Sequence, residues 1–119
     1  MMDILDMKSR SRITRTSPSA VEDAIRRLGR NIRTARLRRR LRIEDVANRI
    51  GASRFTVADV EKGKPGTSMA AYAGALWALG LLEGMNEVAD PDGDEEGKTL
   101  EIARSPGQAP RRRRLDNDF

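Results

Sequence analysis

The chain of 119 residues contains no cysteine and no histidine. Without cysteine there is neither a disulfide framework nor a thiolate site. Without histidine, the commonest general base and the commonest metal ligand are both missing. No nucleophile–base pair, metal-ligand cluster or phosphate-binding loop stands out either, so no enzyme and no cofactor are expected. Aromatic residues make up only 3% and hydrophobic residues 38%. A chain of this length and composition supports one modest core. It lacks any run of about 18 apolar residues, so no membrane-spanning helix is expected. Met1 to Met7 carries Asp3 and Asp6 and no apolar stretch, unlike a secretory signal.

Charge, by contrast, is plentiful, at 34% of residues and a net +5. It is also segregated. Residues 19–42 hold nine arginines against Glu22 and Asp23, while residues 90–110 hold six acids against Lys98 and Arg104. Concentrated positive charge is the footprint of a protein that sits on phosphates. A solvated, arginine-rich helix face has the same composition, so charge alone does not separate the two.

The apolar pattern predicts an all-α fold of five helices. Residues 1–18 read as a flexible basic arm holding Arg10, Arg12 and Arg15. Ser19 and Glu22 fit a capping box. Val21, Ile25, Leu28, Ile32 and Ala35 then form one helical stripe ending near Arg40, with Gly29 inside it at a propensity cost of about 1 kcal/mol. A second helix spans about 43–50, with Glu44 and Asp45 in its first turn and Gly51 at its end. Ser53 caps a third, which Gly63 and Pro65 terminate. Thr67 or Ser68 caps a fourth, with Tyr72 and Trp77 on its core side. A fifth is expected over about 81–88, burying Leu81, Leu82, Met85 and Val88. The first domain is therefore read as residues 19–89. Residues 90–97 read as an acidic linker and residues 104–119 as a disordered tail. Thr99 to Ala103 alternates like one short strand that needs a partner from another subunit.

One spacing is specific. Counting Ile43 as the first position, Val46 and Ala47 are fourth and fifth, Ile50, Gly51 and Ala52 are eighth to tenth, and Val57 and Val60 are fifteenth and eighteenth. Ala47 is small where two helices cross almost in contact, and Gly51 makes the tight turn. Val46, Ile50, Val57 and Val60 face the core and set the interhelical angle.

On these residues the stretch from Leu28 to about Val88 resembles the XRE family, the helix-turn-helix of Cro and lambda-type phage repressors. The resemblance implies a lambda-repressor-like five-helix domain that is usually dimeric, with its third helix in the major groove of a palindromic operator on double-stranded DNA. It implies base reading by Ser53, Arg54, Phe55 and Asp59. Arg54 suits guanine O6 and N7, Phe55 a thymine methyl, and Asp59 either cytosine N4 or the orientation of Arg54. Thr56, Lys62 and Lys64 would meet phosphates. So would Arg38, Arg39 and Arg40, unless they only complement a helix end. Arg36 and Glu61 match the family's structural ion pair. The family commonly carries Gln where this chain has Ile43, so Arg42 is the candidate for that phosphate contact. Such a protein is expected in the cytoplasm, at the nucleoid.

Gly63-Lys64-Pro65-Gly66, Leu76 to Leu82 and Ala89-Asp90-Pro91 resemble, more narrowly, the HipB-type antitoxins. That resemblance implies an autorepressing homodimer with a HipA-like toxin kinase as partner, its dimer closed in some cases by a strand such as residues 99–103. A free-standing repressor, or an adaptor using the fold for protein or RNA contact, remains open beside it. Arg111 to Arg114 suits DNA, an acidic partner, or neither.

Overall fold

A computed structural model describes residues 18–104 of the chain; the basic arm before Pro18 and the tail with Arg111 to Arg114 lie outside the described residues. The described residues are all-helical and divide into two units between Glu83 and Gly84.

The first unit holds four α-helices: α1 (Ser19–Arg38), α2 (Ile43–Ile50), α3 (Arg54–Lys62) and α4 (Met69–Ala78). Its core joins Ile32 and Ala35 of α1, Val46 and Ala47 of α2, Val57 and Val60 of α3, and Tyr72, Ala75 and Leu79 from α4 and its end. The periodic residues of the motif therefore meet as expected. Ile50 is half-buried and packs on Gly74.

The helix ends follow local chemistry. The Ser53 hydroxyl accepts from the Thr56 amide at 3.1 Å, and the Ser68 hydroxyl accepts from Ala71 at 3.1 Å. Gly51 and Gly63 close α2 and α3 in the left-handed region, at φ 69° and 70°, where a side chain is strained. The expected capping box at Ser19 is not formed. The helix starts at Ser19 itself, with the Pro18 carbonyl accepting from Val21 and Glu22 at 2.9 and 3.2 Å. Ser19 thus lies inside the first turn and Glu22 reaches forward to Arg26 at 3.6 Å.

Gly29 has a role beyond its cost to helix propensity. A Cβ there would stand 2.5 Å from the Val60 carbonyl oxygen and 2.8 Å from that of Glu61. The backbone of α1 therefore lies directly against the last turn of α3. Gly63 meets α1 in the same way, where a Cβ would stand 2.5 Å from Arg26 Cα.

Two expectations about the apolar face fail. Trp77 is 58% exposed rather than core. Five residues separate it from buried Tyr72, and at about 100° per residue that turns it some 140° around α4. Leu79, three and four residues from the buried stripe, takes the core place. The predicted fifth helix is a 3-10 helix, Leu82–Glu87, in which no residue is buried, and Leu81 and Val88 are exposed.

The second unit corrects the strand. Glu95–Arg104 is a helix, α5. Asp94 caps it, its carboxylate accepting from the Gly97 amide at 3.0 Å. Glu95 and Glu96 occupy its first turn and Arg104 its last, as the helix dipole favours. The acids read as linker thus start a helix, and Pro91–Gly93 forms a 3-10 turn before it, capped by Asp90. The alternation of Leu100 with Ile102 was too short to outweigh those caps. Neither residue is buried.

Candidate nucleic-acid interface

The turn from α2 to α3 fixes one face of α3 against the core and leaves the other open. Val57 and Val60 point inward and are fully buried. Glu61 beside them is buried too, and its partner is Arg36 of α1. Arg36 Nε donates to Glu61 Oε2 at 2.6 Å and Nη2 to Oε1 at 2.9 Å, with side-chain exposures of 9% and 5%. A third donor, Nη1, reaches the Leu41 carbonyl at 2.9 Å. The Glu61 hydrogen bond raises the Arg36 pKa above its already high ordinary value. This is the structural ion pair expected from the sequence, and it ties α1 to α3.

The opposite side of α3 carries the residues expected to read bases. Ser53, Arg54 and Phe55 are exposed, Phe55 by 70%, while Thr56 and Asp59 are half-buried and Lys62 is exposed. The Arg54 guanidinium lies 5.3 Å over the Phe55 ring, within cation–π range. Its Nη1 meets Glu44 Oε2 at 3.4 Å. The other Glu44 oxygen lies 3.7 Å from Arg42 Nη1. One carboxylate on α2 is thus shared by two arginines, around a shallow recess lined by Arg42, Ile43, Glu44, Arg54, Phe55 and Ala58. The sequence leaves Asp59 either to accept from cytosine N4 or to orient Arg54. Asp59 instead pairs with Lys64 at 3.3 Å, beside a second recess that includes Thr56. Glu44 was read only as a favourable charge in a first helical turn. Its place in the first turn of α2, two residues beyond Arg42, is the one local signal, and it does not reveal the link to Arg54 across the turn.

Arg42 has a further task. Its backbone amide donates to Asp45 Oδ2 at 2.7 Å, half of a capping box built without Ser or Thr. That bond, with a second from the Arg42 side chain, holds the Asp45 carboxyl below the usual carboxylate range. Ile43 is half-buried against the core and lines the recess.

Of the basic run after α1, Arg39 folds back, donating to the Ala35 carbonyl at 2.8 Å. Arg40 takes φ 56°, which turns the chain towards α2. Arg38 and Arg40 are exposed and, among the described residues, no ion pair involves either. The Lys64 carbonyl accepts from the Tyr72 hydroxyl at 2.9 Å, which anchors the loop after α3. Burial, then the negative charge of Asp59, raises the Tyr72 pKa above its ordinary value.

Among the described residues no group of three or more acidic residues could hold a metal ion, and no helix is long and apolar enough to cross a membrane. No curated protein and no solved structure matches the chain. A family model described as a helix-turn-helix domain matches residues 27–87, just over half of the sequence. That span covers α2, the Gly51 turn and α3, and the chain belongs to the helix-turn-helix domain family of DNA-binding regulators.

Proposed function

We propose that this protein is a sequence-specific transcriptional repressor that inserts α3 into the major groove of a palindromic operator as a homodimer. The observation that carries this reading is the two-sided character of α3. Its inner side is locked by Val57, Val60 and Glu61, and its outer side presents Arg54, Phe55, Asp59 and Ser53. A helix that reads DNA needs that division, because base contacts demand a fixed backbone and side chains accessible from outside. In this reading Arg54 donates to guanine, Phe55 touches a thymine methyl, and Ser53 and Asp59 complete the base contacts. Thr56, Lys62, Lys64, Arg42 and the Arg38–Arg39–Arg40 run meet phosphates. The DNA-binding domain spans residues 19–89, and the part beyond it is available to another partner.

The narrower form of the proposal is an antitoxin that represses its own operon and binds a HipA-like kinase. It draws on the resemblance of the segment from Gly63 to Pro91. Co-purification with the product of a neighbouring kinase-like gene tests it; recovery of the protein alone leaves a free-standing repressor.

The DNA reading is tested by fluorescence anisotropy with the protein's own upstream duplex, a scrambled duplex and single-stranded RNA across a salt series. A preference for the upstream duplex of about a thousandfold, with a steep salt slope, is expected. Arg54→Ala should relax that preference, and Lys62→Ala should weaken all duplexes alike. Equal weak binding to every probe rejects the reading in favour of a protein-contact adaptor.

A further inference from the structure

The acid at the edge of the reading face calls for an explanation, because a carboxylate beside phosphates weakens binding to every DNA sequence. Glu44 is half-exposed at the start of α2, and its two oxygens are divided between Arg42 and Arg54. Both contacts are longer than those of the buried pair, at 3.7 and 3.4 Å against 2.6 Å. They add little to folding. Their geometry has a different use. Glu44 engages only Nη1 of Arg54, while the Phe55 ring lies under the guanidinium at 5.3 Å. The corner of the fork is held from one side and its plane from beneath. Among the described residues, the remaining edge, with Nη2 and Nε, makes no hydrogen bond or ion pair. A planar edge with two donors is what bidentate reading of guanine O6 and N7 requires.

We infer that Glu44 is a specificity-determining positioning residue, which presets Arg54 for a guanine edge and at the same time lowers affinity for DNA in general. This role rests on the DNA reading above. The two effects have opposite signs in a binding experiment. Presetting Arg54 strengthens the cognate complex by removing part of the ordering entropy at docking. The negative charge weakens all complexes equally, and its loose contact with Arg42 offsets part of that side chain's attraction for a phosphate. Together they widen the ratio between operator and non-operator affinity without requiring tight binding overall. Asp59 does not duplicate the role, since its carboxylate is on Lys64.

The test compares wild-type protein, Glu44→Gln, Glu44→Asp, Arg54→Ala and Arg54→Ala with Glu44→Gln, each titrated onto the upstream and scrambled duplexes at several salt concentrations. Glu44→Gln should bind the scrambled duplex more tightly and steepen its salt slope by about one. It should also reduce the upstream-to-scrambled ratio about tenfold. Glu44→Asp keeps the charge but gives up the reach to Arg54. It should lower the ratio and leave scrambled binding unchanged. In the Arg54→Ala background Glu44→Gln should still tighten scrambled binding but no longer alter the ratio. An unchanged ratio in Glu44→Gln and Glu44→Asp, with wild-type protein still discriminating, overturns the inference and leaves Glu44 as simple repulsion. A ratio that falls by the same factor with and without Arg54 also overturns it. Wild-type protein that binds both duplexes alike removes the DNA reading itself, and this role with it.

Discussion

Two arginine–glutamate pairs flank α3, one on each side, and they differ in every physical respect that matters. Arg36–Glu61 is bidentate, buried and short, with a third arginine donor satisfied by the Leu41 carbonyl. Arg54–Glu44 has one contact at 3.4 Å, and both side chains are more than half exposed. In the first, two desolvated charges depend on each other, so losing either partner strands the other in a low-dielectric site. In the second, water can replace either partner. The same residue types therefore hold the helix on one side and leave it adjustable on the other. Substitutions on the inner side should read out as stability, and those on the outer side as DNA binding.

The sharpest way to break that comparison is to remove one partner from each pair. Arg36→Met leaves the Glu61 carboxylate buried without a cation and should cost about 3–5 kcal/mol in chemical denaturation. Adding Glu61→Leu should restore most of the loss, because an apolar pair of similar volume can replace a buried ion pair. Glu44→Gln, measured the same way, should cost no more than about 1 kcal/mol. Equal losses for the two single variants would erase the distinction between the sides.

The next effect concerns the backbone seam between α1 and α3. Gly29→Ala raises intrinsic helix propensity by about 1 kcal/mol, so propensity alone predicts stabilisation. The seam predicts the reverse. The new Cβ would meet backbone oxygens of Val60 and Glu61 at 2.5 and 2.8 Å, and backbone cannot rotate away as a flexible side chain can. A net loss of about 1–3 kcal/mol is expected, with a lower melting temperature as the direct readout. A gain in stability would mean that α1 can lift from α3 at little cost.

Gly29 also shows where the sequence was legible. Most features set by neighbours in the chain could be read: the Ser53 cap, a cap at Thr67 or Ser68, the left-handed turns at Gly51 and Gly63, and the inward spacing of Val46, Ala47, Val57 and Val60; the box at Ser19 failed because Pro18 takes the cap position. The Arg36–Glu61 pair was legible because the family resemblance links residues that are far apart in sequence. Features that depend on which element lies opposite were not. Gly29 looked like a weak point because nothing local reveals that α3 lies against it. Trp77 looked like core because its helix is apolar nearly all round, so its stripe has no clear direction. Residues 99–103 alternate like a strand, but the Asp94 cap and the charges at the helix ends favour a helix more strongly than so short an alternation favours a strand. Glu44 was placed correctly on α2, but its link to Arg54 crosses the turn, and spacing along the chain does not show it.

The smallest effect is a pH difference within the loop that anchors the end of α3. Tyr72 is buried and its hydroxyl donates to the Lys64 carbonyl, whereas Lys64 itself pairs with Asp59 at the surface. Burial disfavours the phenolate, and the negative charge of Asp59 adds to this, so the Tyr72 pKa is raised in the folded protein. A raised pKa means that the native state holds its proton more tightly than the unfolded chain does. The resulting stability is fully present below the ordinary tyrosine value and is lost as pH rises through the raised one. Tyr72→Phe removes the hydrogen bond, which should cost about 0.5–1.5 kcal/mol at neutral pH. It also removes the titrating group. The stability difference between wild type and variant should therefore stay constant up to a pH of about 10 and then shrink as the wild type alone loses this contribution. Denaturation of both proteins side by side at each pH cancels the lysine titrations they share. A difference that stays constant, or widens, above that pH would place the Tyr72 hydroxyl in contact with water, and the loop after α3 would then belong with the adjustable outer side and not with the fixed inner one.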